Sequence, residues 1–225
     1  MITKTLAGIA GLTTALLMSV GPASSKSLLV DISKCTNDVE DFGQPIGIRK
    51  GNAGTKFSKI EFDLIDFKKK NNFWRGVNGA VMVVDLAVPK ATAVQILINT
   101  GWGQSGIPNA FVDVQTSGGG SKTFKLIGNK TIRDFNNWIF TNSINGKDTQ
   151  EWWTNNKNPT PNDQSHRYDA HVIDISSVVK KDTLTRVVVR APQNAATGFL
   201  EPFVFAVNVE YPSKPGPKPK CTGLV

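Results

Sequence analysis

The sequence predicts an all-β protein, an antiparallel β-sandwich with the strand connections of a jelly roll. Three observations lead to this prediction. Valine and isoleucine greatly outnumber leucine after residue 25, and β-branched residues favour strands. Apolar and polar residues alternate in many short segments, and no segment shows sustained helical spacing. Segments rich in glycine, asparagine, proline and aspartate separate these strands at short intervals, which is typical of a sandwich or barrel.

The strands can be placed in order along the chain. "KIEFDLIDF" (59–67) alternates around Ile60, Phe62 and Leu64. "GAVMVVDLAV" (79–88) is almost continuously apolar, which predicts a strand buried on both faces. "SSVVKKD" is expected to form one helical turn between two strands. The other predicted strands, which bring the total to roughly ten, are "AVQILINT", "AFVDVQT", "KTFKLIG", "WIFTNSI", "TQEWWT", "AHVIDIS", "LTRVVVRA" and "FLEPFVFAVNVEY".

The two ends of the chain differ from the predicted domain between them. Residues 1–25 carry one charge, Lys4, followed by an apolar stretch and small residues, which is the pattern of a secretory signal peptide. The alternative is an uncleaved membrane anchor, but the stretch is short and lacks a charge on its far side. Residues 26–211 form one predicted sandwich domain, and residues 212–225 form a Pro/Lys-rich tail that is expected to be extended rather than packed.

We therefore expect an exported protein, either secreted or periplasmic. No later segment has the roughly 18 apolar residues that cross a bilayer, so no transmembrane segment is expected after signal cleavage. Cys35 and Cys221 are the only cysteines and lie near opposite ends of the mature chain. In an oxidising compartment they predict one disulfide that ties the tail to the domain, with two free thiols as the alternative.

The charge of the protein indicates which partners it favours. The formal net charge is +8, and an excess of this kind favours anionic partners such as an acidic polysaccharide or another envelope polymer. Nucleic acid is not expected as a partner, because the lysines lack the aromatic spacing of a nucleic-acid motif.

The C-terminal part of the sequence resembles a known group of proteins. A strand ending "VIDIS" is followed by a short turn, then "TLTRVVVRA", a loop and "FVFAVNVEY". This order resembles the closing strands of exported jelly-roll β-sandwiches of the galactose-binding-like type. "LIGNKTIRDFNNWIFTNSING" likewise resembles a pattern in exported bacterial sandwich proteins. The resemblance spans residues 94–211 and implies the fold; many members of the group bind sugars and many do other work.

The segment "NTGWGQSGIPNAF" (99–111) is the strongest candidate for a binding site. Trp102 stands between two glycines just after a predicted strand, with amide side chains nearby. An exposed indole packs against the C–H face of a sugar ring while amides bind its hydroxyls, so we predict carbohydrate binding here. The alternative is that Trp102 folds back and caps the core. The predicted ligand-binding residues are Trp102, Gln104, Asn109 and, from the adjacent tryptophan pair in "TQEWWT", Trp153.

The segment "NDVEDFGQ" (37–44) is the best candidate for a metal site. Calcium prefers carboxylate and carbonyl oxygens, and it often braces exported sandwiches through acidic loops. The spacing in this segment is not that of an EF-hand, and no other cofactor is expected. The predicted calcium ligands are Asp38, Glu40 and Asp41.

No catalytic signature stands out in the sequence. His166 and His171 are five residues apart, so on one strand they would face opposite ways, and no Ser or Cys nucleophile motif accompanies them. An acid–base pair of His166 with Asp163 or Asp169 stays open, as does a pair of distant carboxylates of the glycosidase kind.

Arg133, in "GNKTIRDFNN", lies next to an aspartate and is expected to join a structural network under a loop, since arginine makes planar bidentate hydrogen bonds. The sequence as a whole therefore predicts non-catalytic binding of carbohydrate or an envelope glycan. The alternatives are a structural or protein-interaction component of the cell surface, such as an adhesin, and a glycan hydrolase.

Overall fold

The computed structural model describes residues 26–137, 140–155, 165–193, 199–212 and 220–224. Within these ranges the chain forms thirteen β-strands, one short α-helix and one 3-10 turn. The predicted signal peptide, the first two residues of the predicted strand "WIFTNSI" and most of the predicted tail lie outside the described residues. The described remainder of "WIFTNSI" is a loop rather than a strand.

The strands and the helix follow the chain in this order. The strands are β1 Lys26–Val30, β2 Gly47–Arg49, β3 Phe62–Leu64, β4 Trp74–Arg75, β5 Val81–Pro89, β6 Ala93–Gly101, β7 Pro108–Thr116, β8 Ser121–Ile127, β9 Thr149–Thr154, β10 Arg167–Asp174, β11 Thr183–Arg190, β12 Glu201–Tyr211 and β13 Lys220–Leu224. The 3-10 turn spans Phe57–Lys59, and the helix α1 spans Ser176–Val179. The helical turn predicted in "SSVVKKD" is therefore confirmed.

Two antiparallel sheets form a sandwich. In sheet A the strand order is β1, β12, β6, β10, β9, and β4 also pairs with β12. In sheet B the order is β13, β5, β11, β7, β8, and the short hairpin of β2 and β3 stands apart. Apolar side chains from both sheets pack into one core between them. The predicted antiparallel sandwich is confirmed, and its jelly-roll connectivity stays a prediction.

The central strands of sheet A are buried on both faces, whereas sheet B is buried on one. All nine residues of β6 are buried, because Ile96 and Ile98 face the core between the sheets while Leu97 faces a second core. This second core is rich in aromatic side chains, and residues from the segment 42–73 pack into it. In β5, alternate residues are half-exposed. The prediction that β5 would be buried on both faces is therefore wrong.

The C-terminal segment belongs to sheet B. Strand β13 pairs with β5, and Cys221 forms a disulfide with Cys35 across a Cα–Cα distance of 5.9 Å. Both cysteines are buried in the core between the sheets. The predicted disulfide is confirmed. The sequence predicted an unpacked tail held by Cys221, but Lys220–Leu224 is in addition an edge strand with its own backbone pairing.

The disulfide joins residues 186 positions apart, so breaking it gives the unfolded chain much more conformational freedom. We expect Cys35→Ser to lower the free energy of unfolding by roughly 2 to 5 kcal/mol, measured by urea unfolding. Reduction of the wild-type protein by a thiol is the matched control and should give a similar loss. Unchanged unfolding midpoints in both experiments would contradict a stabilising role.

Candidate binding site

Three loops meet at one end of the sandwich, where β6 ends and β12 begins. The tryptophan loop, residues 102–107, follows β6 directly. The backbone N–H of Leu200 donates to the carbonyl of Trp102 over 3.3 Å, which holds the segment before β12 against this loop. A Cβ atom at Gly103 would lie 2.6 Å from Oγ1 of Thr141, so the loop that follows residue 139 packs tightly against this glycine.

Each of the three loops exposes one aromatic side chain. The exposed fractions are 38% for Trp102, 57% for Phe140 and 43% for Phe199, the largest of any aromatic residue in the described part of the chain. The ring centroids of Phe140 and Phe199 are 6.4 Å apart. Phe199 immediately precedes the residue that bonds to the Trp102 carbonyl. We call these three side chains the aromatic rim. Grouped exposed apolar side chains mark interaction sites more often than scattered ones do.

The backbone under the aromatic rim has a rare conformation. Trp102, Phe140 and Leu200 have positive φ angles of 52°, 49° and 69°. Bulky residues seldom adopt this region, because the side chain crowds the backbone. The other described non-glycine residues with positive φ are all asparagine or lysine. Such strain persists only where surrounding contacts hold it, and it clusters at functional sites. We therefore expect contacts with neighbouring residues to fix the backbone under the aromatic rim.

Arg75 is the main support of the Trp102 side chain. Its guanidinium carbon lies over the indole, 5.6 Å from the ring centre, within the range of a cation–π interaction. Nη2 of Arg75 is 2.7 Å from Oε2 of Glu201, and Nη1 is 3.3 Å from Oδ2 of Asp38. Two carboxylates thus fix the arginine, and the arginine in turn limits the motion of the exposed indole.

Asp134 connects two of the three loops. Its backbone N–H donates to the carbonyl of Thr141 over 2.9 Å, and its Oδ1 accepts a hydrogen bond of 3.0 Å from the N–H of Asn136. Burial raises the pKa of Asp134 from 3.8 to about 6, although the backbone N–H groups of Asn136, Gly103 and Trp102 favour the charged form and offset part of the rise. The backbone of the tryptophan loop therefore rests against a buried carboxyl group.

A buried ion-pair network lies beside these loops. Nε and Nη2 of Arg133 donate to the two carboxylate oxygens of Asp169, each over 2.7 Å, and Nη2 also lies 2.7 Å from Glu151. The side-chain amide of Asn99 donates to Asp169 over 2.9 Å. The structural network predicted for Arg133 is confirmed, with Asp169 rather than the neighbouring Asp134 as its bidentate partner.

The two histidines do not form a shared site. The ring of His166 packs against Phe42 and Phe135, at centroid distances of 4.8 and 5.5 Å. His171 is buried, and its Nδ1 bonds to the hydroxyl of Thr149 on the neighbouring strand. Burial lowers the pKa of His171 to about 4, so this ring is neutral at pH 7. Both rings therefore contribute to packing between elements.

The predicted ligand-binding residues lie in different environments. Trp102 is exposed and Gln104, half-buried, lies two residues away in the same loop. Asn109 is completely buried, and its amide bonds to both the carbonyl and the N–H of Gln104, over 3.0 and 3.2 Å. Trp153 is 7% exposed and packs on Tyr168 in the second core. The structure therefore corrects the roles of Asn109 and Trp153: they support the fold and are not available to a ligand at the surface.

Two of the three predicted calcium ligands make contacts with other groups of the chain. Asp38 pairs with Arg75, and Oδ1 of Asp41 accepts the backbone N–H of Gly43 over 2.9 Å. Among the described residues, no group of three or more His, Cys, Asp or Glu side chains is arranged to hold a metal ion. The calcium site at Asp38, Glu40 and Asp41 stays a prediction, and in the structure Asp38 fixes the arginine under Trp102.

Sequence reasoning missed Arg75, Phe140 and Phe199. The sequence predicted Phe140 and Phe199 within the strands "WIFTNSI" and "FLEPFVFAVNVEY", but in the structure both lie outside the strands. The small and polar residues beside them, in "FTNS" and "AATGF", were the signal for loops. No signal pointed to Arg75, which reaches the site through the pairing of β4 with β12.

Comparisons with protein-family models, with curated proteins and with solved structures found no match. In the part of the chain that the structure describes, none of the helices has the length and apolar character to cross a membrane. The argument for a function therefore depends on the geometry of the site.

Asp134 should make stability depend on pH in a direction opposite to that of a carboxylate whose pKa is lowered, such as Asp174. Since its native pKa of about 6 exceeds the usual 3.8, the native state holds a proton that the unfolded state releases, and stability falls as pH rises through this window. The free energy of unfolding of Asp134→Asn, taken relative to that of the wild type, should therefore rise by roughly 2 to 3 kcal/mol as the pH increases from 3.5 to 7. Urea unfolding at both pH values measures this.

The control for this experiment is Asp174→Asn. Hydrogen bonds from the side chain and backbone of Ser176 lower the pKa of Asp174, so its contribution to stability appears as pH rises. This variant should lose stability relative to wild type over the same range. The same pH trend in both variants would contradict the role assigned to the burial of Asp134.

The ion-pair network should be sensitive to loss of one partner. Asp169→Asn leaves the buried Arg133 with a weaker partner, so we expect a loss of roughly 3 kcal/mol or more in the free energy of unfolding. Asp85→Asn is the matched control, because the Asp85–Arg186 pair has a distance of 2.6 Å but is exposed, and its loss should cost less than about 1 kcal/mol. Equal losses in the free energy of unfolding for Asp169→Asn and Asp85→Asn, measured with urea, would contradict the larger contribution of the buried pair.

Proposed function

We propose that this protein is an exported, non-catalytic binding protein that recognises carbohydrate, such as a glycan of the cell envelope, through the aromatic rim. The observation that carries the proposal is the exposed indole of Trp102, which stands on a strained backbone under the guanidinium of Arg75, in a loop bonded to the residue after the exposed Phe199. Aromatic faces suit the C–H side of a sugar ring, and a platform that is already fixed loses little entropy when a ligand binds.

Polar groups beside the platform suit sugar hydroxyls. Arg75 and Asp38 are each about one third exposed, and together they offer hydrogen-bond donors and acceptors next to Trp102. Gln104 adds an amide in the same loop. A sugar hydroxyl is both donor and acceptor, so it can bind a charged pair of this kind without leaving either partner unpaired.

Two further features support the proposal. The signal-peptide pattern of residues 1–25 and the Cys35–Cys221 disulfide both fit an exported protein, secreted or periplasmic. The resemblance to jelly-roll sandwiches of the galactose-binding-like type fits sugar binding at loops, and the basic net charge fits an acidic envelope polymer. Export, jelly-roll connectivity and ligand class are parts of the proposal.

A binding role also fits the position of the titratable groups. The pKa values of Asp134 and His171 are strongly shifted, but both side chains are buried and serve as supports rather than facing the rim. Enzymes place shifted groups where a substrate can reach them. The rival role as an adhesin-like surface component uses the same exposed side chains for a protein partner.

The test is a glycan-array screen of residues 26–225, followed by affinity measurements with Trp102→Ala. We expect the substitution to weaken glycan binding at least about tenfold, because exposed aromatic anchors dominate such sites, while the melting temperature stays within a few degrees of wild type. Ile48→Ala is the matched control: Ile48 is 50% exposed but lies on the separate hairpin, so its truncation should leave binding unchanged.

Two outcomes would overturn the proposal. One is a silent array together with strong destabilisation by Trp102→Ala, which would make the indole a structural cap. The other is glycan binding that Trp102→Ala and Ile48→Ala leave equally intact, which would place the site elsewhere on the protein.

A further inference from the structure

The outer face of sheet B contains a groove that the aromatic rim does not include. A cavity of about 420 Å³ lies between Gly79, Phe111, Arg190 and Gln193. A second cavity of about 430 Å³ is lined by residues of β7, β8 and β11, and it also includes Arg190. Because Arg190 borders both, the two cavities adjoin each other across three neighbouring strands. We call this feature the sheet B groove.

The sheet B groove begins at the same end of the sandwich as the aromatic rim. Residues 75–80 run from Arg75, under Trp102, to Gly79 at the wall of the groove. The N–H of Gly79 donates to the carbonyl of Pro192 over 3.1 Å, which joins this segment to the residues that follow β11. The segment from Arg75 to Gly79 therefore connects the rim to the groove along the chain.

The floor of the groove is a fixed array of polar groups beside an aromatic ring. Nε and Nη2 of Arg190 bond to the two oxygens of Asp113, over 2.5 and 3.2 Å. The hydroxyl of Thr123 donates to the same carboxylate over 2.5 Å. The guanidinium also lies over the ring of Phe111, 5.0 Å from its centre. The register of β11, β7 and β8 puts these side chains in adjacent rows of one face.

The chemistry of this floor suits a chain of sugars. A guanidinium carries five N–H donors in one plane, and Asp113 engages two of them, so the pair presents both donors and acceptors with its charges balanced. Phe111 offers an apolar surface next to this pair. Three adjacent strands span roughly 10 Å, which is enough for more than one sugar unit.

We propose that the sheet B groove is a second subsite, which binds successive units of an extended, hydroxyl-rich glycan chain whose other part lies on the aromatic rim. This inference rests on the proposed function and adds a ligand class to it: an oligosaccharide or polysaccharide chain rather than a single terminal sugar. Affinity then rises with the length of the chain, because longer ligands reach both surfaces.

The experiment measures affinity by titration calorimetry for two series of oligosaccharides of one to six units, one of a neutral β-glucan and one of a polyuronate. Wild-type affinity should rise about tenfold or more from the shortest binding ligand to the longest in one series. Phe111→Ala and Asp113→Asn should abolish this rise and leave the shortest ligand unaffected. Trp102→Ala should weaken every length.

Asp85→Asn is the matched control for the groove variants. It breaks an ion pair of the same kind on the same sheet, with Arg186, but Asp85 borders neither cavity. This variant should keep the full rise with length. The NMR chemical shifts of Thr123 and Phe111 in the wild-type protein, which need no variant to fold, should move with the longest ligand and stay fixed with the shortest.

The failures of the two proposals can be told apart. Affinity that does not depend on chain length, or a rise with length that Phe111→Ala and Asp113→Asn preserve, would overturn the proposed subsite in the sheet B groove. Binding that still depends on Trp102 would in that case leave the proposed role of the aromatic rim intact. Absence of binding by every member of both series in the wild-type protein, together with a silent glycan array, overturns both.

Discussion

The burial of sheet A on both faces is the constraint on which the rest of the structure depends. Strands β6 and β12 lie side by side in the middle of this sheet, with the sandwich core on one face and the aromatic second core on the other. Neither strand can shift its register by one residue without moving its large side chains into the wrong core. Gly101 and Glu201 are paired at the ends of these strands, so the same constraint fixes where the tryptophan loop leaves β6 and where Leu200 enters β12.

The rim depends on polar groups that the two cores keep out of water. Asp134 and the Arg133–Asp169 pair hold the loops to the sheet by hydrogen bonds, which are stronger where water is excluded but costly if one partner is missing. Trp102 and Phe140, with their positive φ angles, lie in the loops that Asp134 contacts. Rigidity at an exposed surface therefore comes from a buried scaffold of charge and hydrogen bonds.

The sequence predicted the sandwich, its disulfide and the position of most strands, because alternation and turn residues are local signals. It did not predict which of the two sheets is buried on both faces. The run in β5 is more continuously apolar than a one-sided strand requires, yet β6 is the strand buried on both faces. The outer face of sheet A is buried by the segment 42–73, which contains three consecutive lysines, Lys68 to Lys70, and therefore has a polar sequence. The exposure of Trp102 could not be predicted either, because it depends on Arg75 in β4 and on Asp38 in the connection between β1 and β2, both distant in sequence.

Strand β8 forms one end of sheet B, so one side of its backbone is not paired within the sheet. Two exposed lysines, Lys122 and Lys125, stand on this strand, and the ammonium group of Lys122 lies 4.8 Å from the ring centre of the half-buried Phe124. A second copy that tried to extend the sheet would bring the same lysines together and would have to strip water from them. The charged edge strand β8 therefore disfavours polymerisation of the sandwich through its own strands.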